Sequence, residues 1–307
     1  VTRLLNKYEG NPVVSPADVP GGGAMQVFNP GAIKLNGEYL LLMDVADLSA
    51  CYHFRLARSR DGYAFTVDDQ PVDWPPSDPD FEEQNRYDPR ITKIGDSWYI
   101  MFAARNDRLG VRTGLVSTRD FVHFERHPNC SELNNRNGVL FPEKIGGLYA
   151  RLDRPMGNPH VDPANIWISY SPDLVFWGRT KPVLQVRPGE FWDAQKVGAG
   201  AVPIRTPQGW LEIYHGVEKT CNGFIYRLGV CLLDLEDPSK VIARGRNCVL
   251  WPEHGYEDVG RSGTTVFTCN ALLEEDGETV KIYYGAADRC IGLAEGKLSD
   301  LLAACYT

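Results

Sequence analysis

A chain of 307 residues, 43% hydrophobic and 23% charged, has the composition of an ordinary globular protein, which excludes disordered and collagen-like chains. Its net charge of −8, with no run of Lys or Arg, excludes a duplex-binding surface, which needs clustered cations to displace counterions; nucleic acid is not an expected partner. No stretch reaches the roughly 18 to 20 uncharged apolar residues that cross a bilayer, and the first residues lack the apolar run of a signal peptide, so a cytoplasmic protein without a membrane partner is expected.

In chain order, the predicted strands are short, rich in aromatic and branched residues, and entered through turns. Residues 38–43 follow Asn36-Gly37, residues 97–102 follow Gly95-Asp96, residues 209–214 open at Pro207-Gln208-Gly209, and residues 279–284 follow Asp276-Gly277. Such turns feed antiparallel hairpins. Helical periodicity is confined to residues 298–304. A phrase also recurs: residues 57–65, 116–124 and 168–177 each run from a strand ending at Ser, through an Asp-centred turn, to an aromatic residue that opens the next strand. The copies lie roughly 55 to 60 residues apart, a little more than common propeller blades. Dividing the chain by that period gives about five.

The expected fold is therefore all-β: one five-bladed β-propeller over residues 1–307, favoured over a β-sandwich. Its site belongs at the mouth of the central channel, where the innermost strands converge. Functional residues should then be scattered, one or two per blade.

The eight cysteines include no C-x-x-C pair, so neither a zinc ribbon nor a redox dithiol is signalled. Most sit in apolar runs such as residues 229–233, where a free thiol packs as a small hydrophobe. The six histidines offer no ligand pair; His123 and His127 are four apart, but in a strand-and-turn stretch. No metal and no cofactor are expected.

The sharpest local feature is Asn85-Arg86-Tyr87-Asp88-Pro89-Arg90-Ile91, in which Pro89 holds Asp88 extended. Other blades carry Phe28-Asn29-Pro30-Gly31, Phe54-Arg55-Leu56-Ala57-Arg58-Ser59, Asn135-Arg136-Asn137-Gly138 and Ala150-Arg151-Leu152-Asp153-Arg154-Pro155. Further along stand Lys196-Val197-Gly198-Ala199-Gly200, Tyr214-His215-Gly216 and Tyr283-Tyr284-Gly285-Ala286-Ala287-Asp288. Each places a charged or amide group in or beside apolar strand sequence, where an unpaired charge is costly. Taken together, Arg136, Arg151, Lys196 and His215 would form a cationic pocket in an acidic protein, a natural receptor for a small anion. Taken singly, each could instead belong to a buried ion pair.

The ordered set Tyr-Asp-Pro-Arg, Arg-Leu-Ala-Arg-Ser, Asp-Arg-Pro, Lys-Val-Gly-x-Gly, Tyr-His-Gly and Tyr-Tyr-Gly-Ala-Ala-Asp resembles the mannoside phosphorylases of glycoside hydrolase family 130, from about residue 11 to residue 288. The resemblance implies a five-bladed propeller and inverting phosphorolysis of β-mannosides to α-mannose 1-phosphate, with inorganic phosphate as co-substrate. It implies Asp88 as sole general acid, protonating the leaving oxygen through the 3-hydroxyl of the mannose. It gives phosphate to Arg136, Arg151 (with Arg154 as the other choice), Lys196 and His215, and mannose to Asn29, Arg55 and Asp288. Tyr87, before the acid, resembles enzymes acting on β-1,4 linkages to glucose, N-acetylglucosamine or mannose; β-1,2-mannoside phosphorolysis is the alternative.

The chemistry agrees with one acid plus a basic cluster. An inverting hydrolase needs a second carboxyl, roughly 6.5 to 9.5 Å away, to activate water. Phosphate is already an anionic nucleophile and needs positioning rather than deprotonation. The rival hydrolase would take its second acid from Glu143, Glu190 or Glu218. A non-catalytic glycan-binding propeller would use aromatic platforms such as Tyr87, Trp98, Trp192 and Tyr214 and have no use for a cationic pocket. Residues 73–84 and 157–163 are expected on the acceptor side. No seam or coiled-coil pattern appears, which leaves a homo-oligomer open.

Overall fold

The computed structural model describes residues 3–49, 51–128, 130–156 and 164–307; the acceptor-side expectation for residues 157–163 lies outside them. Five antiparallel sheets follow one another along the chain. Blade 1 holds Ala24–Leu35, Glu38–Asp47, Tyr52–Ser59 and Thr66–Val67; blade 2 holds Asn85–Ile94, Ser97–Asn106, Gly110–Thr118 and Phe124–His127. Blade 3 holds Asn135–Leu140, Tyr149–Pro155, Ile166–Ser171 and Gly178–Leu184. Blade 4 runs Lys196–Ala199, Gly209–Thr220, Gly223–Leu233 and Val241–Arg244. Blade 5 runs Val266–Thr268, Thr279–Ala286 and Cys290–Lys297, and its outer strand is Leu5–Lys7 from the other end of the chain. That pairing closes the ring and yields the five-bladed propeller.

The second strands read as continuous apolar runs because both of their faces are buried between blades. In Glu38–Asp47 the period of two splits the run: Leu40 and Leu42 pack with Phe54, Ile91 and Phe102 towards blade 2, while Leu41, Met43 and Val45 pack with Tyr283 and Leu293 towards blade 5. Similar apolar clusters lie between blades 2 and 3, 3 and 4, and 4 and 5.

The recurring phrase is a side-chain-capped turn between the third and fourth strands of blades 1 to 3. Asp61 Oδ1 accepts the N–H groups of Tyr63 and Ala64, and Ser59 Oγ accepts that of Gly62. Asp173 and Ser171 repeat the arrangement. In the second copy the partner of Asp120 is Thr118 rather than Ser117, because the strand runs one residue further. Leu298–Ala304 forms the expected helix. Among the described residues no helix is long and apolar enough to cross a membrane.

Candidate active site

The innermost strands of blades 1, 2 and 3 share one irregularity. Their pairing with the second strand slips between Phe28 and Gly31, Tyr87 and Arg90, and Arg136 and Val139. At the slip stand Asn29, Asp88 and Asn137, with φ of 44°, 58° and 56°; Asp88 is therefore left-handed and not extended as the following Pro89 predicts, because the bulge overrides that preference. Left-handed backbone is disfavoured for residues other than glycine, and Asn and Asp tolerate it best. A bulge of this kind re-aims a side chain out of the sheet. All three line one cavity of about 230 Å³ to which every blade contributes, with Tyr52, Tyr87, Arg105, Arg136, Arg154, Tyr226, Phe267 and Asp288 around them.

Asp88 is 6% exposed, and its Oδ1 accepts a hydrogen bond from Asn29 Nδ2 at 2.8 Å. Asp288 shares the cavity; burial, and then the neighbouring Asp88 charge, push its carboxyl up to about 7 against the opposing pull of Arg261. Below them Asp44 is fully buried, and burial followed by the Asp88 charge raises it well above the usual carboxylate range.

Arg136 and Arg154 line the cavity; the expected Lys196 and His215 do not line it themselves but stand close to Arg154. Arg154 Nη1 lies 2.8 Å from His215 Nε2. A guanidinium can only donate, so Nε2 accepts and the imidazole proton sits on Nδ1. Burial, then Arg154, Arg90 and Lys196, hold His215 well below its usual range, hence neutral. Burial, then Arg154 and Arg136, lower Lys196 to about 8; burial and then Arg136 lower Arg154 to about 10. Arg136 Nε, Arg154 Nε and His215 Nδ1 are buried and have no hydrogen-bond partner among the described residues. Buried donors are rarely left unmatched, and two mutually repelling guanidiniums with spare donors, beside a neutral imidazole N–H and the Lys196 ammonium, are suited to receive an anion.

Two further expected site residues, Arg151 and Arg55, lie away from the cavity altogether. Arg151 is 2% exposed on the opposite face of its strand, where Nε donates to Asp153 Oδ2 at 2.8 Å and the guanidinium stacks on Trp177 at 4.1 Å. Strand alternation turns Arg154, three positions on, towards blade 4 instead, so Arg154 and not Arg151 lines the cavity. Arg55 is likewise off the cavity, its Nη1 donating to the carbonyls of Asp68 and Asp69. Of the acids considered for a hydrolase, Glu143 and Glu190 are exposed, with Glu143 3.2 Å from Arg205, and Glu218 pairs with Arg227 at 2.6 Å. None of the three lines the cavity.

Sequence reasoning passed over Asn137, although it occupies the slot of Asn29 and Asp88 and could have been found from that equivalence. Arg261 also lines the cavity, its guanidinium 5.4 Å from the centre of the Tyr52 ring. It comes from the connection into blade 5, where no motif marks it.

The class is set first by the fold. The solved beta-1,2-mannobiose phosphorylase of Listeria innocua, in complex with beta-1,2-mannobiose, superposes with a TM-score of 0.89 at 33% identity, over 98% of this chain and 99% of that one. A family profile described as beta-1,4-mannooligosaccharide phosphorylase matches residues 5–307. The chain belongs to glycoside hydrolase family 130 and is a β-mannoside phosphorylase of that family. It is 32% identical to a beta-1,4-mannooligosaccharide phosphorylase of Ruminococcus albus, over 97% of this chain and 90% of the relative. It is 36% identical to a 1,2-beta-oligomannan phosphorylase of a Thermoanaerobacter species, over 97% and 98%.

Proposed function

We propose that the chain transfers mannose from a β-mannoside to inorganic phosphate with inversion, giving α-mannose 1-phosphate, and that Asp88 is the general acid. The glycosidic C–O bond breaks as a phosphate oxygen bonds to the anomeric carbon from the opposite face. Asp88 gives its proton to the 3-hydroxyl oxygen of the mannose, whose own proton passes to the leaving oxygen. Arg136, Arg154 and Lys196 hold the phosphate by charge, and neutral His215 contributes its Nδ1–H. Asn29, Tyr87 and Asp288 contact the mannose; above about pH 7 Asp288 is a carboxylate able to accept from sugar hydroxyls.

The observation that carries this reading is the pair of buried guanidinium donors without partners, Arg136 Nε and Arg154 Nε, on residues that share one cavity with the bulged Asp88, with the buried His215 held against Arg154. Glycan binding alone leaves that group without a task.

For the linkage we propose β-1,2, the linkage named for the Listeria and Thermoanaerobacter relatives at 33% and 36% identity. The β-1,4 expectation attached to Tyr87 is the second reading, favoured by the description of the family profile. Equal concentrations of β-1,2- and β-1,4-mannobiose in phosphate, followed by ³¹P and ¹H NMR, separate the two. Preferred consumption of the 1,2 isomer, with an α-configured product, is expected. A tenfold preference for the 1,4 isomer would reverse the linkage, and a β-configured product would end the inverting mechanism.

A further inference from the structure

Asp44 has no task in the reaction just described, yet it is fully buried in a strand that is otherwise apolar from Leu40 to Val45. A carboxyl in such surroundings is costly unless it is bonded. The strand's period of two turns it, with Leu40 and Leu42, towards blade 2. There its Oδ2 accepts the backbone N–H of Asp88 at 2.9 Å.

Two residues beyond the acid, Arg90 is 1% exposed, and its hydrogen bonds go to backbone carbonyls. Nη1 donates to Asp88 at 3.0 Å, Nε to Gly200 at 3.0 Å and Nη2 to Ala199 at 3.1 Å. The N–H of Gly200 donates in turn to the buried Glu212 Oε1 at 3.1 Å. Asp88 is thus gripped at both its N–H and its C=O, from blade 1 on one side and through Arg90 to blade 4 on the other. A non-glycine residue at φ of 58° persists only where the surroundings over-determine it.

We propose that Asp44 and Arg90 are positioning residues for the reaction: they hold the Asp88 backbone in its left-handed bulge and fix where its carboxyl points relative to the blade 4 strand that begins at Lys196. The proposal rests on Asp88 being the general acid. Asp44 acts as an acceptor, a task that an amide oxygen can share. Arg90 acts through its fork geometry, which an ammonium cannot reproduce.

The test compares Asp44→Asn, Asp44→Ala, Arg90→Lys and, as reference, Asp88→Asn. Each is assayed in phosphate on mannobiose and on dinitrophenyl β-mannoside, whose leaving group needs no proton. General acid catalysis contributes about 10²- to 10⁴-fold. Asp88→Asn, Asp44→Ala and Arg90→Lys should therefore lose kcat on mannobiose by about tenfold or more and stay within about fivefold of the parent on the activated substrate, with the KM for phosphate unchanged. Asp44→Asn should keep most of the mannobiose rate.

Equal losses on both substrates for Asp44→Ala and Arg90→Lys, with Asp88→Asn still selective, would overturn the positioning role while leaving the acid in place. Full mannobiose activity in Asp44→Ala would also overturn it. A failure of Asp44→Ala to fold would leave Arg90→Lys and Asp44→Asn to decide: unselective losses in either would count against the proposal. An Asp88→Asn variant with no selectivity would instead remove the acid assignment on which the proposal stands.

Discussion

Arg151 and Arg154 lie three positions apart on one strand and face opposite ways, Arg154 into the cavity and Arg151 onto Asp153, so paired substitutions test the proposed separation of stability from binding. Arg151 sits with Asp153 in a buried ion pair, and removing one member of such a pair costs about 3–5 kcal/mol. Arg151→Met should lower the unfolding temperature by several degrees and leave the KM for phosphate near that of the parent. Arg154→Met should raise that KM at least about tenfold, since hydrogen bonds to charged groups contribute about 1.5–3 kcal/mol, with little change in unfolding. Steady-state kinetics beside thermal melts would read both, and the reverse pattern would return the phosphate role to Arg151. Lys196 carries the pH prediction. Its ammonium is lowered to about 8 by burial and by Arg154 and Arg136, so the charge proposed to attract phosphate is present below that pH and lost above it. The value of kcat/KM for phosphate, which reports the free enzyme, should fall as pH rises through about 8. Lys196→Arg should move that fall to higher pH.

The strand elements were legible in the sequence and their pairing register was not. Turn residues and aromatic runs gave the strands at residues 38–43, 97–102, 209–214 and 279–284, and the Ser/Asp phrase gave the blade count. Asn29, Tyr87, Asp88, Arg136 and Asp288 all line the cavity because each belongs to a phrase at the inner end of a blade. Arg55 and Arg151 do not line the cavity, for one physical reason. A period of two sends neighbouring residues to opposite faces, and which face meets the cavity depends on where the bulge falls. Close approach at the inner strands yields a prediction. A Cβ on Gly285 would stand 2.0 Å from Asn29 Oδ1, too near for any real contact. Gly285→Ala should displace Asn29, break its bond to Asp88, and reduce kcat on mannobiose at least about tenfold, within the range of an acid contribution. Unchanged kcat would detach Asn29 from the acid.

At the scale of the whole molecule, ring closure ties the two ends of the chain to the site. Leu5–Lys7 completes blade 5, and Lys7 Nζ reaches Glu257 at 2.7 Å, with side chains 4% and 0% exposed. Glu257 also accepts from Tyr284 and from the N–H of His254, at the head of the segment that carries Arg261 into the cavity. Lys7→Met would leave Glu257 without its cation; a loss of about 3–5 kcal/mol is expected, read as a lower midpoint in chemical denaturation. An unchanged midpoint would mean that the strand pairing alone closes the ring. The ring in turn brings together one bulged acid and a set of cations with spare donors, an arrangement suited to phosphate as nucleophile. The most direct test is the product released from the preferred mannobiose with and without phosphate. Mannose 1-phosphate formed only when phosphate is present is the predicted result. Free mannose released at the same rate in both conditions would contradict it, make water the nucleophile, and turn attention to Asp288 as the second carboxyl of the cavity.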